Sequence, residues 1–295
     1  MGQPERTEAA YQHCLALARS HYENFPVASH VLPARLRRPV AAIYAFARHA
    51  DDLADEGDHP PAWRLEQLAA WRDQLNASAA GQPPGEQPIF IALADTIARH
   101  RLPIEPFHHL LDAFTQDVTT TRYPDWATTL DYCARSANPV GHLLLHLYDA
   151  ASAENLERSD ALCTALQWIN FLQDIGQDLD ENDRLYLPLD RMAHHGVTLE
   201  QLRARHSTPA LQTLIAELAT HTAALLDHGA PLARALKGRA GLELRLIVSG
   251  AGHVLDALRA PRDDLFNRPR LTPLDYAKVA TRALFRFPTH PTQRG

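Results

Sequence analysis

The chain has 295 residues, with 29 Lys and Arg against 35 Asp and Glu. The formal charge is −6, and no run of like charge is long enough to serve as an arm for nucleic acid. With 45% hydrophobic residues, 22% charged residues and 13 glycines, the composition excludes disordered and fibrous proteins.

The N-terminal segment carries Glu5, Arg6 and Glu8, where a signal peptide would be unbroken and apolar. No stretch approaches the ~18 uncharged apolar residues of a membrane span. Cys14, Cys133 and Cys163 are odd in number and far apart, unlike a disulfide framework or a zinc knuckle. A cytoplasmic chain with reduced thiols is expected.

Apolar residues recur at spacings of three and four and strand-like alternation is nearly absent, so the fold class is all-α. Helices are predicted at 5–20, 39–56, 61–77, 87–101, 104–121, 127–135, 139–152, 158–181, 199–205, 208–228, 231–259 (broken near Gly238) and 273–285. The stretches Asn76 to Pro88 and Asp183 to Pro188 interrupt the pattern but are too short to part domains, so one helical domain over 1–295 is expected. Gly250-Ala251-Gly252 lacks the third glycine and the preceding strand of a dinucleotide fingerprint.

The helix predicted at 39–56 is apolar around most of its circumference through Val40, Ile43, Phe46 and Leu53. Tyr44, Arg48, Asp51 and Asp55 nevertheless fall within about 60° of arc. A solvated face with an ion pair is the ordinary fate of such residues. The helix predicted at 158–181 repeats the pattern. There Gln167, Asn170, Asp174 and Asp178 lie within about 80°, and Leu162, Leu166, Trp168, Ile169, Phe171, Leu172, Ile175 and Leu179 take the other sides.

A helix apolar on three sides belongs at the centre of the fold, and its polar stripe is expected to face the other across a central apolar cavity. Four converging carboxylates repel unless cations lie between them. Magnesium, or manganese in its place, suits oxygen ligands, and magnesium is usually bound through one or two carboxylates plus substrate phosphates. A phosphorylated group at the mouth and a hydrocarbon chain in the depth are the expected substrate features.

These residues resemble the trans-isoprenyl diphosphate synthase fold and, within it, the squalene and phytoene synthase family. The first aspartate motif matches Asp51-Asp52-Leu53-Ala54-Asp55 after Tyr44-Ala45-Phe46-Ala47-Arg48. The second matches Asn170-Phe171-Leu172-Gln173-Asp174-Ile175-Gly176-Gln177-Asp178. Asp131-Tyr132-Cys133 running into Pro139-Val140-Gly141, and Arg184-Leu185-Tyr186-Leu187-Pro188, also match in the family's order; the resemblance covers about residues 15–260 and leaves a peripheral C-terminal tail. His21-Tyr22-Glu23-Asn24-Phe25-Pro26-Val27-Ala28-Ser29 and Ser136-Ala137-Asn138-Pro139-Val140-Gly141 resemble the hydroxysqualene synthase branch of the hopanoid pathway. The family's frequent tyrosine near position 251 is absent, since Ala251 stands there.

The resemblance implies that Asp51, Asp55, Asn170, Asp174 and Asp178 hold magnesium and that Arg48, His21, Asn24, Gln167, Asn170, Arg184 and Tyr186 bind substrate. Tyr44, Tyr132 and Tyr186 would face a carbocation or a phosphate oxygen, and Asn138 or Asn24 would hold a water. The implied reaction turns presqualene diphosphate and water into hydroxysqualene without NADPH. Implied associations are the prenyl diphosphate, other hopanoid-pathway enzymes and a peripheral contact with a membrane, for which Leu284-Phe285-Arg286-Phe287 is the basic and apolar segment. Rival readings are a head-to-head squalene or phytoene synthase, a di-iron bundle using Glu56-x-x-His59 and Glu105-x-x-His108, and a lipid-binding module without chemistry. His142 and His146, one turn apart, lack a third zinc ligand in the sequence nearby.

Overall fold

The computed structural model describes residues 3–20, 32–82, 85–269 and 272–285. Among them the secondary structure is helical apart from one isolated parallel bridge, Arg122 to Leu185, as the apolar periodicity requires. Contacts group the chain into two compact units, Met1–Thr119 with His142–Ala151, and Thr120–Gly141 with Ser152–Gly295. His21 and Asn24, and the Tyr22 to Ser29 segment with them, lie outside the described residues.

The first unit contains α1 (Gln3–Ser20), α2 (Ala34–Asp55), α3 (Pro61–Ala79), α4 (Pro88–His100) and α5 (Glu105–Asp117). Helix α2 packs against all four others. Its Phe46 is fully buried, with ring centroids 6.0 Å from Trp71 of α3, 6.1 Å from Phe90 of α4 and 5.4 Å from Phe107 of α5. Offset and edge-on arrangements of this kind add to what burial itself contributes.

Helix α2 begins at Ala34, ahead of the start expected at Pro39, so Pro39 lies within the helix. A proline there removes one backbone donor. Burial of Leu36 and Pro39 in the core offsets that loss and keeps the extra turn.

At the other end the Arg64 guanidinium of α3 donates to the carbonyls of Leu53, Glu56, Gly57 and His59 at 2.6–3.2 Å. These are the orphan acceptors that a helix terminus and its following turn leave behind. One side chain thus fixes where the aspartate-bearing turn of α2 stops.

The second unit is built on α6 (Trp126–Ser136), α8 (Ala153–Gln173), α9 (Ile175–Asn182), α10 (Leu189–His195), α11 (Leu199–Arg203), α12 (Pro209–Gly229), α13 (Leu232–Ala235), α14 (Gly238–Arg259) and α15 (Pro273–Phe285). The chain passes from this unit to the first within α7 (Asn138–Leu147). Helix α8 packs against α6, α12, α13 and α14. Its Trp168 is fully buried and stacks on Trp126 with centroids 4.1 Å apart. A Cβ at Gly229 would meet Leu162 Cγ at 2.5 Å, so the glycine allows α12 to approach α8 closely.

The helix expected over 158–181 differs in both directions. Ser152 caps α8 by accepting from the Asn155 N–H, which starts the helix early. Asp174, at φ −108° and ψ 14°, leaves helical geometry and divides α8 from α9. The expected break near Gly238 is present, with Gly238 itself at φ +65°, a conformation glycine adopts without strain. Helix α10, seven residues long after Pro188, is too short for its periodicity to stand out in the sequence.

Replacing Phe46 by Ala is expected to cost about 3–5 kcal/mol, because rings from three other helices pack on it and cannot close over the void. Urea unfolding followed by far-UV circular dichroism measures this. A loss below about 1 kcal/mol would mean that α2 is not the packing centre of its unit.

Candidate active site

Tyr44, Arg48, Asp51 and Asp55 share one face of α2, and all four are half-buried. The charges are paired more densely than the sequence pattern suggests. Arg48 Nη2 lies 2.6 Å from Asp52 Oδ1 and 2.6 Å from Glu56 Oε1, and Nη1 lies 3.5 Å from Asp51 Oδ2. Burial opposes the guanidinium charge, but Asp52, Asp51 and Glu56 together outweigh it and hold the proton more firmly. Burial also raises the Tyr44 phenol, against the pull of Arg48.

Asp51, Asp52 and Asp55 occupy the last turn of α2, where the helix dipole already presents negative partial charge. Acidic side chains at this end oppose the local field. Arg48 and Arg64 compensate from two sides. A pairing of Arg48 with Asp51 or Asp52 is legible in the spacing, whereas Glu56 is not: it reaches Arg48 because it leaves the helix as the extended C-cap of α2.

In the second unit Gln167, Asn170 and Asp174 follow one another along the end of α8, and Asp178 stands on α9. The Asp178 N–H donates to the Asp174 carbonyl at 2.8 Å, which keeps the two aspartates one turn apart across the helix break. Asn170 is exposed and Gln167 half-buried, so this stripe meets solvent at its α8 end. Toward α9 it sinks inward. Burial and the adjacent Asp174, against the opposing pull of Arg184, push the Asp178 carboxyl up to about 7. Asp174 is also raised, by burial, although Arg268 Nε stands 3.3 Å from its Oδ1.

Arg268 comes from the loop before α15, and Gln173 donates to the Pro269 carbonyl of the same loop at 3.3 Å. Nothing in the sequence brings this loop to α8. Arg184 is buried, and its N–H donates to the Asp178 carbonyl at 3.0 Å.

Tyr132 and Tyr186 come together in one aromatic cluster with Phe171 and Tyr123. Tyr186 stacks on Phe171 with centroids 3.9 Å apart, and Tyr123 lies 5.3 Å from Tyr132 and 5.4 Å from Tyr186. Tyr123 is fully buried and was not anticipated. Backbone bonds from Leu185 to Thr121 and from Leu189 to Tyr123, both 3.0 Å, bring its segment beside Tyr186. Asn138 is buried, and its Oδ1 accepts from buried Thr164 at 3.0 Å.

The di-iron geometry is not formed. Glu56 is bonded to Arg48, His59 stacks on Trp63 with centroids 3.8 Å apart, and His108 shares a hydrogen bond of 3.0 Å with Arg72. Among the described residues no group of three or more His, Cys, Asp or Glu side chains is gathered to hold a metal. Each stripe offers instead one or two carboxylates, hard oxygen donors of the number magnesium uses when phosphate oxygens and waters complete its shell. Asp178, raised by a burial and a like charge that Arg184 does not offset, is the carboxylate such a cation would most relieve. The donor set therefore fits the ion.

The sign of the pH effect follows from Asp178. Its carboxyl rises from 3.8 in ordinary surroundings to about 7 in the fold, so its contribution favours the fold below pH 4 and is lost as pH rises toward 7 and above. Metal-free protein is expected to unfold at lower temperature at pH 8 than at pH 5, and Asp178→Asn to flatten that dependence. Calorimetry at a series of pH values decides, and an unchanged profile in the variant would refute the assignment.

No described helix is long and apolar enough to cross a membrane. The squalene/phytoene synthase family pattern matches residues 18–275. A hydroxysqualene synthase of Rhodopseudomonas palustris is 40% identical over 256 residues, covering 86% of this chain and 85% of that protein. A presqualene diphosphate synthase of the same organism is 34% identical over 72% of this chain and 73% of its own. Among solved structures, squalene synthase HpnC from Alicyclobacillus acidocaldarius superposes with a TM-score of 0.79 at 38% identity, covering 86% of this chain and 94% of that one. The aspartate pairs, the arginine beside the first of them and the all-helical architecture fall within the matched region, and the chain belongs to the squalene/phytoene synthase family.

Proposed function

We propose that this enzyme converts presqualene diphosphate and water into hydroxysqualene and diphosphate, using magnesium. The observation that carries the reading is the Asp174–Asp178 pair, two half-buried carboxylates held one turn apart at the junction of α8 and α9. Similarity to a hydroxysqualene synthase over most of both chains supports the choice of product.

In this reading Asp51, Asp55, Asn170, Asp174 and Asp178 would hold the ions. Magnesium, when bound, takes up the negative charge that grows on the diphosphate as the carbon–oxygen bond breaks. Arg48 exchanges part of its pairing with Asp52 and Glu56 for diphosphate oxygens, to which its planar fork is matched. In the second unit, Gln167, Asn170 and Arg184 would add hydrogen bonds to phosphate oxygens.

The bond electrons leave with diphosphate. The cyclopropylcarbinyl cation then rearranges beside the faces of Tyr132, Phe171 and Tyr186, which attract positive charge without supplying a nucleophile. Water adds and loses a proton, giving the alcohol. No hydride is consumed, so NADPH is not required.

Coupling of two farnesyl diphosphates is the second reading, favoured by the 34% identity to a presqualene diphosphate synthase. Product analysis separates the two. With magnesium and labelled water, presqualene diphosphate is expected to yield a C30 alcohol bearing the label. Turnover of farnesyl diphosphate alone at a comparable rate would establish coupling instead.

Asp51→Asn and Asp174→Asn are each expected to abolish turnover while the helical signal in circular dichroism persists, since these charges serve the ion and not the core. Full activity in either variant would remove that carboxylate from the site. Arg48→Lys keeps the charge but loses the fork, and is expected to raise KM or slow ionisation roughly tenfold or more. Wild-type kinetics there would reduce Arg48 to an ion pair within α2.

A further inference from the structure

Eight residues are too few for α9 to keep its shape by itself in water. Its link to α8 runs through Asp174, which is not helical, so side chains from elsewhere must set the direction in which α9 points. Ile175, Gly176 and Leu179 are its buried residues. Asp178, Asp180, Glu181 and the following Asp183 crowd like charge onto the same short element.

Arginines from other segments answer that charge. Asp183 Oδ1 accepts from Arg122 at 2.7 Å and from Arg203 at 2.8 Å. Arg205 donates to Asp180 Oδ2 at 2.5 Å, and its guanidinium also lies over the Phe266 ring, with Cζ 5.7 Å from the centroid.

Arg205 reaches the helix backbone as well. A Cβ at position 176 would fall 1.7 Å from Arg205 Nη1 and 2.6 Å from its Cζ. The guanidinium thus fills the space that any side chain at this position would take. Gly176 has no left-handed φ to account for it, and glycine weakens a helix. Arg205 itself does hold a positive φ, +54°, which is strained for a residue with a Cβ. An unfavourable glycine and a strained arginine meet at one contact.

We propose that Arg205 is a positioning residue: seated on Gly176 and bonded to Asp180, it sets the direction of α9 and so the place of Asp178 relative to Asp174. The proposal rests on the reading of those two aspartates as magnesium ligands. The Arg205 side chain is 42% exposed, and ion pairs so exposed contribute little to stability. Its loss is therefore expected to change metal binding more than folding.

The test measures thermal unfolding of the full chain with inorganic pyrophosphate across a magnesium titration, which needs no turnover. Arg205→Ala is expected to unfold near the wild-type temperature without ligand, yet to need about tenfold more magnesium for half of the pyrophosphate-dependent rise, as is usual when a partner that orients a metal ligand is lost. Asp180→Asn and Arg205→Lys are expected to shift the titration the same way by less, and they carry the comparison if Arg205→Ala does not fold. Gly176→Ala, whose methyl group displaces the guanidinium, is expected to match Arg205→Ala, and the double variant to add nothing. Wild-type titrations in the folded Arg205 and Asp180 variants, or additive effects in the double variant, would overturn the proposal. If wild-type protein is not stabilised by magnesium with pyrophosphate, the assignment of the aspartates fails and this inference with it.

Discussion

Carboxylates that are partly buried close to one another lose hydration and repel, and much of the local architecture answers that single cost. Asp178 shows it most directly, because burial and Asp174 both oppose its charge and Arg184 offsets only part of the effect. On α2 the same difficulty is met by pairing: Arg48 lies among Asp51, Asp52 and Glu56, and Arg64 takes the carbonyls at the helix end. Pairs that stay partly open to solvent contribute little to folding, and on the proposed reading they would keep the acidic turn in one geometry for a cation and an anionic substrate.

The two stripes are prepared differently. On the first, one arginine whose fork also suits phosphate is shared among Asp51, Asp52 and Glu56, so on the proposed reading ligand binding there would be an exchange of partners. At the second, Arg268 and Arg184 face Asp174 and Asp178, yet burial still holds both carboxyls above their ordinary range, a strain that a divalent ion would relieve. Tyr132, Phe171 and Tyr186 form an aromatic cluster, whose ring faces attract positive charge.

The helix break at Asp174 has a mechanical sense. A continuous helix would carry Asp178 wherever α8 pointed, whereas a separate α9 can be adjusted by contacts of its own. Those contacts come from arginines distant in sequence and from one glycine that leaves room for a guanidinium.

The periodicity of apolar residues determined the all-helical class, and the spacing of Tyr44, Arg48, Asp51 and Asp55 determined a shared face, because both depend only on the 100° step of a helix. The same rule put Gln167, Asn170, Asp174 and Asp178 in one stripe, and the family motifs named the chemistry. Local pattern could not show that α2 begins at Ala34, since the burial of Leu36 that sustains the extra turn is a tertiary event. Nor could it show Arg268 against Asp174, Arg205 against Gly176, or Tyr123 within the tyrosine cluster. Each joins residues from different segments, and such meetings are decided by how helices pack and loops return, which a one-dimensional period does not encode.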